Sequence, residues 1–126
     1  MYDLIDRPVS DLPAVDRRLL AATRAWVHQL TMAGDASPAA AEQLGRGSEA
    51  FDAAMRALDR GSSETLVFQR PCHSTVSETE AMWLAVWRLV RADRLSHARG
   101  ALGALADADA VPAVLAALVR AAVRLA

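Results

Sequence analysis

The chain has 126 residues, 53% of them hydrophobic, and a formal net charge of −1. This length suits one domain, which buries enough surface to fold without disulfide or metal support. The single cysteine excludes an intrachain disulfide and a CxxC metal or redox motif, and the absence of lysine excludes a Schiff-base lysine and a lysine-dependent phosphate loop.

Targeting and membrane signals are not expected. The first sixteen residues carry four aspartates and no apolar run, which does not fit a signal peptide. The longest uncharged stretch towards the C-terminus, 110–119, is too short to cross a bilayer. We therefore expect a cytoplasmic protein that does not enter the membrane.

The first predicted helix follows a lead-in segment, 1–12, and ends at Ala33 because Gly34 follows. Ser10 or Asp11 is expected to cap it, with Pro13 in the first turn, where the missing N–H costs nothing. One side is predicted to face the core and the other to face solvent. The core stripe is Val15, Leu19, Ala22, Trp26 and Leu30, and the polar side carries Arg17, Arg24 and His28.

A second helix is predicted from Ser37 to Arg60. Gly45 and Gly47 each lower its stability by about 1 kcal/mol, which leaves a break open. Continuity is favoured because the apolar stripe stays in phase across them. Gly47 points inward in this interpretation and would admit a bulky neighbour such as a tryptophan.

Residues 62–76 lack a helical period and predict a long irregular loop. Connections of this length are uncommon in small helical bundles, and they are often functional or packed over the core. Ser77 and Glu80 then form a capping box that begins the third helix. Trp83 and Trp87 share its apolar face, where this spacing is more typical of core residues than of a ligand pocket, and a break near 92–93 is left open.

The last helix is predicted to begin near 107–109, with Pro112 in its first turn. Only Arg120 and Arg124 are charged on it, so the helix is either central in the fold or half of a subunit contact. Together these segments predict one all-α domain, 1–126, built as a compact bundle of four to five helices, mostly antiparallel.

The best candidate for chemistry is the loop before the third helix, where a helix N-terminus lowers thiol pKa values and attracts anions. Its candidate residues are Arg70, Cys72, His73, Ser74 and Glu80. The functional interpretation is a reactive thiol, an anion site or a metal site. The favoured simpler interpretation is that Cys72 is a small buried hydrophobic residue and His73 is solvated.

The sequence argues against most classes of enzymatic reaction. Cys72 and His73 are adjacent, which is poor geometry for ligating one metal ion. There is no GxSxG nucleophile elbow, and the start of a dinucleotide loop at 45–47 lacks its third glycine. Helix capping explains the paired acids at 78/80 and 107/109. We therefore predict no catalytic residues, no metal, no cofactor and no enzymatic activity.

Arg88, Arg91 and Arg94 step by three along the third helix and form a modest basic strip. With a net charge of −1, this strip is expected to be a solvated face balanced by acids elsewhere. Nucleic-acid binding is therefore a weak alternative.

The Pro71-Cys72 step followed by the Ser77–Glu80 helix start, in a chain rich in alanine and arginine, resembles small uncharacterised helical proteins of alphaproteobacteria. The resemblance covers residues 40–126. It implies an all-helical fold and no known activity, and it makes the Cys72 loop worth testing.

The leading functional hypothesis is a non-catalytic interaction or regulatory module that self-associates, with a dimer favoured. The predicted interface on the last helix is Leu115, Leu118, Val119 and Leu125. A partner of another kind is left unidentified. The alternative is a small-ligand or thiol-based sensor centred on the Cys72 loop.

Overall fold

Helices and 3₁₀ segments account for the regular structure of the chain in a computed structural model, which describes residues 3–62 and 65–125. The helices are α1 (Ala14–Ala33), α2 (Ser48–Gly61), α3 (Glu78–Arg91), α4 (Leu95–Leu102) and α5 (Val111–Leu125), and the 3₁₀ segments are Val9–Asp11 and Pro38–Gly47. No strand occurs in these ranges, so the predicted all-α bundle of four to five helices is confirmed. Residues 1–2 of the lead-in and 63–64 of the loop lie outside the described residues.

The core forms around α5, which contacts α2, α3 and α4. Val114, Leu118 and Ala121 on its inner side are completely buried. The central position in the fold, one of the two explanations for its apolar sequence, is observed. Burial on several sides explains why this helix carries few charges.

The C-terminal end of α1 is as predicted, and its beginning is not. Gly34 adopts a left-handed φ of 79° and its N–H donates to the Leu30 carbonyl, which closes the helix. At the other end, Pro13 occupies the cap position and no side chain caps the helix. Ser10 and Asp11 belong instead to the preceding 3₁₀ segment, so the predicted side-chain cap was wrong.

The predicted continuous helix from Ser37 to Arg60 was also wrong. Pro38–Gly47 is a distorted 3₁₀ segment, and α2 begins only after it. Gly45 has a φ of 58° and a ψ of −121°, a conformation open to glycine but strained for other residues, and it turns the chain there. Gly47 faces α5, where Leu125 rather than a tryptophan is its close neighbour.

The region after the loop follows its local signals closely. Ser77 accepts a hydrogen bond from the Glu80 N–H while the Glu80 carboxylate accepts one from the Ser77 N–H, so the predicted capping box is confirmed. The break left open near 92–93 is present, because Asp93 adopts a φ of 59° between α3 and α4. Pro112 lies in the first turn of α5, as expected.

The described part of the lead-in packs against the far end of the long loop. The Asp6 N–H donates to the Val76 carbonyl at 2.8 Å, and the Val9 N–H donates to the Ser74 carbonyl at 2.8 Å. Leu4 is only 1% exposed. Segments that are about seventy residues apart in the sequence therefore hold each other in place.

Candidate functional site

A buried ion pair lies beneath the candidate loop. Arg24 donates from Nε to Glu80 Oε2 at 2.7 Å and from Nη2 to Glu80 Oε1 at 2.9 Å. The two side chains are only 2% and 0% exposed. The placement of Arg24 on a polar, solvated side of α1 was therefore wrong, because the loop covers this position of the helix.

The ion pair also holds the backbone of the loop. Arg24 donates to the carbonyls of His73 and Thr75, at 2.7 and 2.8 Å. On the other side of the pair, Glu80 accepts hydrogen bonds from the N–H groups of Gln69 and Ser77, each at 3.0 Å. A segment without regular structure is thus fixed at four points by one arginine and one carboxylate.

The charge state of Glu80 follows from these bonds. Burial by itself raises the pKa of the Glu80 carboxyl group. The hydrogen bonds from Arg24, from the Ser77 N–H and from the Gln69 N–H stabilise the carboxylate and outweigh burial, so the pKa lies below its usual value of 4.5. Glu80 is therefore an ionised structural group whose oxygen atoms are occupied.

The predicted site residues do not gather around the thiol. Cys72 is exposed, so its interpretation as a buried hydrophobic residue was wrong. Arg70 and Ser74 are also exposed, and His73 is half-buried with Nε2 3.3 Å from the Thr75 hydroxyl. Glu80 lies below them and is directed at Arg24. The loop displays a thiol on a fixed backbone, but its polar neighbours do not form a catalytic cluster with Glu80.

The basic strip on α3 is partly neutralised within the chain. Arg88 donates to Asp16 Oδ2 at 2.9 and 3.2 Å, and Arg91 Nη1 lies 4.0 Å from Asp16 Oδ1. Asp16 itself is 2% exposed. Arg94 lies in the turn before α4. Two of the three guanidinium groups are therefore directed at an acid of α1.

The predicted interface on α5 faces mainly inward. Leu115 and Leu118 are 7% and 0% exposed, so the prediction that they form an outward face was wrong. α5 packs against α2, α3 and α4, and these two leucines belong to the resulting core. Val119 and Leu125 are half-buried and line a groove with Val90.

The outward side of α5 carries a different apolar row. We call it the outer stripe: Pro112, Ala116, Val119 and Val123. Their spacing of four, three and four residues places them on one face of a helix. Val123 is 74% exposed. The sequence prediction included Val119 of this row but missed the other three members. Every position of α5 is apolar or small except the two arginines, so the pattern did not distinguish its two sides.

A cleft beside the first part of the loop was also missed. It opens between α1 and α2 and is partly covered by Leu66 and Phe68. The signal available in the sequence was the run of three apolar residues, 66–68, to which the loop prediction gave no role.

Comparisons with protein-family models, with curated proteins and with solved structures find no match to this chain. The resemblance to alphaproteobacterial helical proteins therefore stays a prediction. Within the described ranges, no helix has the length and hydropathy needed to cross a membrane. The same residues contain no group of three or more histidine, cysteine or acidic side chains placed to hold a metal ion.

Proposed function

We propose that the protein is a non-catalytic interaction module that forms a dimer through the outer stripe of α5. The observation that carries the proposal is the exposure of Pro112, Ala116 and Val123, the last at 74%, on a helix whose other side already fills the core. Exposed apolar side chains aligned on one helix face are typical of a protein contact surface.

The charges at the two ends of α5 support a second copy of this chain as the partner. Asp107 and Asp109 are exposed before the helix, and Arg120 and Arg124 are exposed in its last turns. Roughly 16 to 22 Å of helix separates Asp109 from these arginines, so they cannot pair with it in one copy. An antiparallel second helix brings opposite charges together at both ends.

A twofold axis near Ala116 gives this arrangement. It places Arg124 of one copy beside Asp109 of the other, and it packs the two outer stripes against each other. The exposed side chains at 113 and 116 are alanines, which let two helix backbones approach closely. One helix face and the adjoining groove supply a contact at the lower end of the usual size, so we expect a dissociation constant on the order of micromolar.

The first test is Val123→Asp, measured by sedimentation equilibrium over a range of concentrations. Two copies of this change place two unpaired carboxylates in the contact, so the dimer dissociation constant is expected to rise at least about tenfold. Met32→Asp is the matched control, because Met32 is also 74% exposed and lies on α1. A wild-type protein that stays monomeric at high micromolar concentration contradicts the proposal.

Charge reversal tests the antiparallel geometry in the same measurement. Arg124→Asp and Asp109→Arg are each expected to weaken the dimer, and the double variant is expected to recover most of the loss. Because Asp109 precedes a helix N-terminus, thermal unfolding of each variant separates an effect on the fold from an effect on association. Failure of the double variant to recover would exclude this pairing.

A thiol-based sensor at Cys72 is the second candidate, and the exposed thiol favours it. The sulfur lies on a loop whose backbone is fixed by Arg24, so the thiol is displayed in one place without being covered. We expect native protein to react with an aromatic disulfide reagent at a rate comparable with that of denatured protein. His73→Ala tests whether the neighbouring imidazole activates the thiol, and Ser74→Ala is its control on the same loop. A native rate far below the denatured rate eliminates this candidate.

A further inference from the structure

A cleft of about 510 Å³ lies between α1, α2 and the beginning of the long loop. Trp26, Met55 and Leu58 form its floor and are at most 2% exposed. Clefts that bind small molecules commonly have volumes of roughly 300 to 1,000 Å³ and mainly apolar linings. The size of this cleft fits a small molecule, and its floor is apolar while part of its lining is polar.

The walls are apolar side chains that the fold leaves half covered. Val27 and Leu30 come from α1, and Leu66 and Phe68 come from the loop. Each is half-buried, so each keeps apolar surface that an occupant can remove from water.

The floor and one wall are held in place before any molecule binds. Trp26 donates from Nε1 to Asp52 Oδ1 at 2.8 Å, which fixes its indole ring. Beside Phe68, the Gln69 N–H is bonded to Glu80, so the loop is anchored next to the wall. A cleft fixed in this way binds without first ordering its own side chains.

The polar groups of the cleft determine which kind of head group fits. Asp59, Ser62 and Thr65 are its polar lining residues. Among the described residues, no side chain forms a hydrogen bond or ion pair with the exposed Asp59 carboxylate. The arginines of α2 are directed elsewhere: Arg56 pairs with Asp52 and Asp35, and Arg60 lines a different groove. Among the lining residues that the structure describes, the only charge is therefore the negative one of Asp59.

We propose that this cleft binds a small amphiphile with an apolar body and a cationic amine head. The body packs between the apolar walls supplied by α1 and the loop, above the floor, and the amine pairs with Asp59 beside the hydroxyl groups of Ser62 and Thr65. This site is independent of the dimer surface on α5.

The test is titration calorimetry of the whole chain with decylamine, decanol and decanoate, each below its aggregation concentration. These probes share an apolar chain and differ in the charge of the head. We expect saturable binding of one decylamine per chain, weaker binding of decanol and the weakest binding of decanoate. Because the ion pair at Asp59 is exposed to water, the preference for amine over alcohol is expected to be roughly two- to fivefold.

Two variants locate the site. Asp59→Asn changes an exposed position and is expected to remove the preference for amine over alcohol while decanol binding persists. Val27→Trp fills the cleft and is expected to abolish binding of all three probes. Leu89→Trp is the control, because it fills a separate apolar groove beside Met82 and Ala85 on α3. Circular dichroism verifies that each variant is folded.

Three results would overturn the proposal: no saturable binding of any probe, equal or tighter binding of decanoate, or loss of binding in Leu89→Trp rather than Val27→Trp. If Val27→Trp does not fold, Asp59→Asn alone decides the matter. An unchanged preference for amine in Asp59→Asn then excludes the site.

Discussion

Glu80→Gln is expected to lower the free energy of unfolding by about 3 to 5 kcal/mol, because it leaves the Arg24 guanidinium group buried without its counter-charge. Arg24→Met is expected to have a comparable effect, since it strands the Glu80 carboxylate. The pair is almost completely buried, and its hydrogen bonds fix the loop at four points. Urea denaturation followed by far-ultraviolet circular dichroism measures the loss.

The matched control for this prediction is Asp35→Asn. Asp35 also pairs with an arginine, Arg56, at 3.3 Å, but its side chain is 80% exposed. Breaking an exposed pair of this kind is expected to cost less than about 1 kcal/mol. The double variant Arg24→Met with Glu80→Gln leaves no unpaired charge, so its cost is expected to be smaller than the sum of the costs of these two single variants. Strictly additive costs contradict the assignment.

The pH dependence of stability is a second readout of the same pair. Because the pKa of Glu80 is lowered in the folded state, its contribution is fully present above the unfolded value of about 4.5 and is lost as the pH falls through the folded value. The wild-type protein is therefore expected to lose stability more steeply below pH 4.5 than Glu80→Gln does. If the free energy of unfolding falls with pH equally in the two proteins, Glu80 does not contribute to the loss of stability in acid.

Trp87→Ala is expected to cost about 3 to 5 kcal/mol, because it empties a large volume in the centre of the core. Trp87 is fully buried. Its ring stacks on Phe51 with 5.9 Å between the ring centroids, and it contacts Trp83 edge to face with 6.0 Å between the centroids. Such aromatic contacts add to the burial of the ring itself. Urea denaturation measures this cost under the conditions used for Glu80.

Trp83 and Trp87 form a matched pair for a finer test. Trp83 Nε1 donates to Thr23 Oγ1 at 3.1 Å, whereas the buried Trp87 Nε1 has no hydrogen-bond partner among the described residues. Substitution by phenylalanine therefore removes a satisfied bond at 83 and an unsatisfied donor at 87. We expect Trp87→Phe to cost about 1 to 2 kcal/mol less than Trp83→Phe. Equal costs would mean that the Trp87 N–H finds a partner in solution.

The features that the sequence predicted well are those with local causes. Gly34 ends α1 because glycine readily adopts a left-handed conformation, and the Ser77–Glu80 box begins α3 through bonds within four residues. The placement of Trp83 and Trp87 in the core follows from their spacing on one helix face. In each case the residues that decide the structure are neighbours along the chain.

The errors arise where a distant segment decides. The spacing of residues in α1 places Arg24 on the polar side of the helix, but the loop from 69 to 75 covers its side chain. The same loop covers the Glu80 carboxylate. Gly45 breaks a stripe that stayed in phase, because a glycine permits a turn that periodicity does not detect. No pattern within α1 or the second predicted helix contains this information.

For the candidate site, the sequence located the loop but not the direction of its side chains. Cys72 was expected to be buried and is exposed, because the ion pair below the loop holds the backbone and leaves the thiol outside. The cleft beside Phe68 depends on the distance between α1 and α2, and the hydrophobic periodicity of each helix does not determine that distance. The identity of the residues was available from the sequence, but their convergence was not.

The central position of α5 has a consequence during synthesis. The ribosome makes α2 and α3 well before α5, and both pack against it in the finished protein. Until residues 111–125 emerge, the apolar faces that receive this helix have no native cover, and a nascent chain in that state is prone to associate with other chains or with chaperones. Cooperative folding of this domain is therefore expected to begin only after residues 111–125 have emerged, rather than helix by helix.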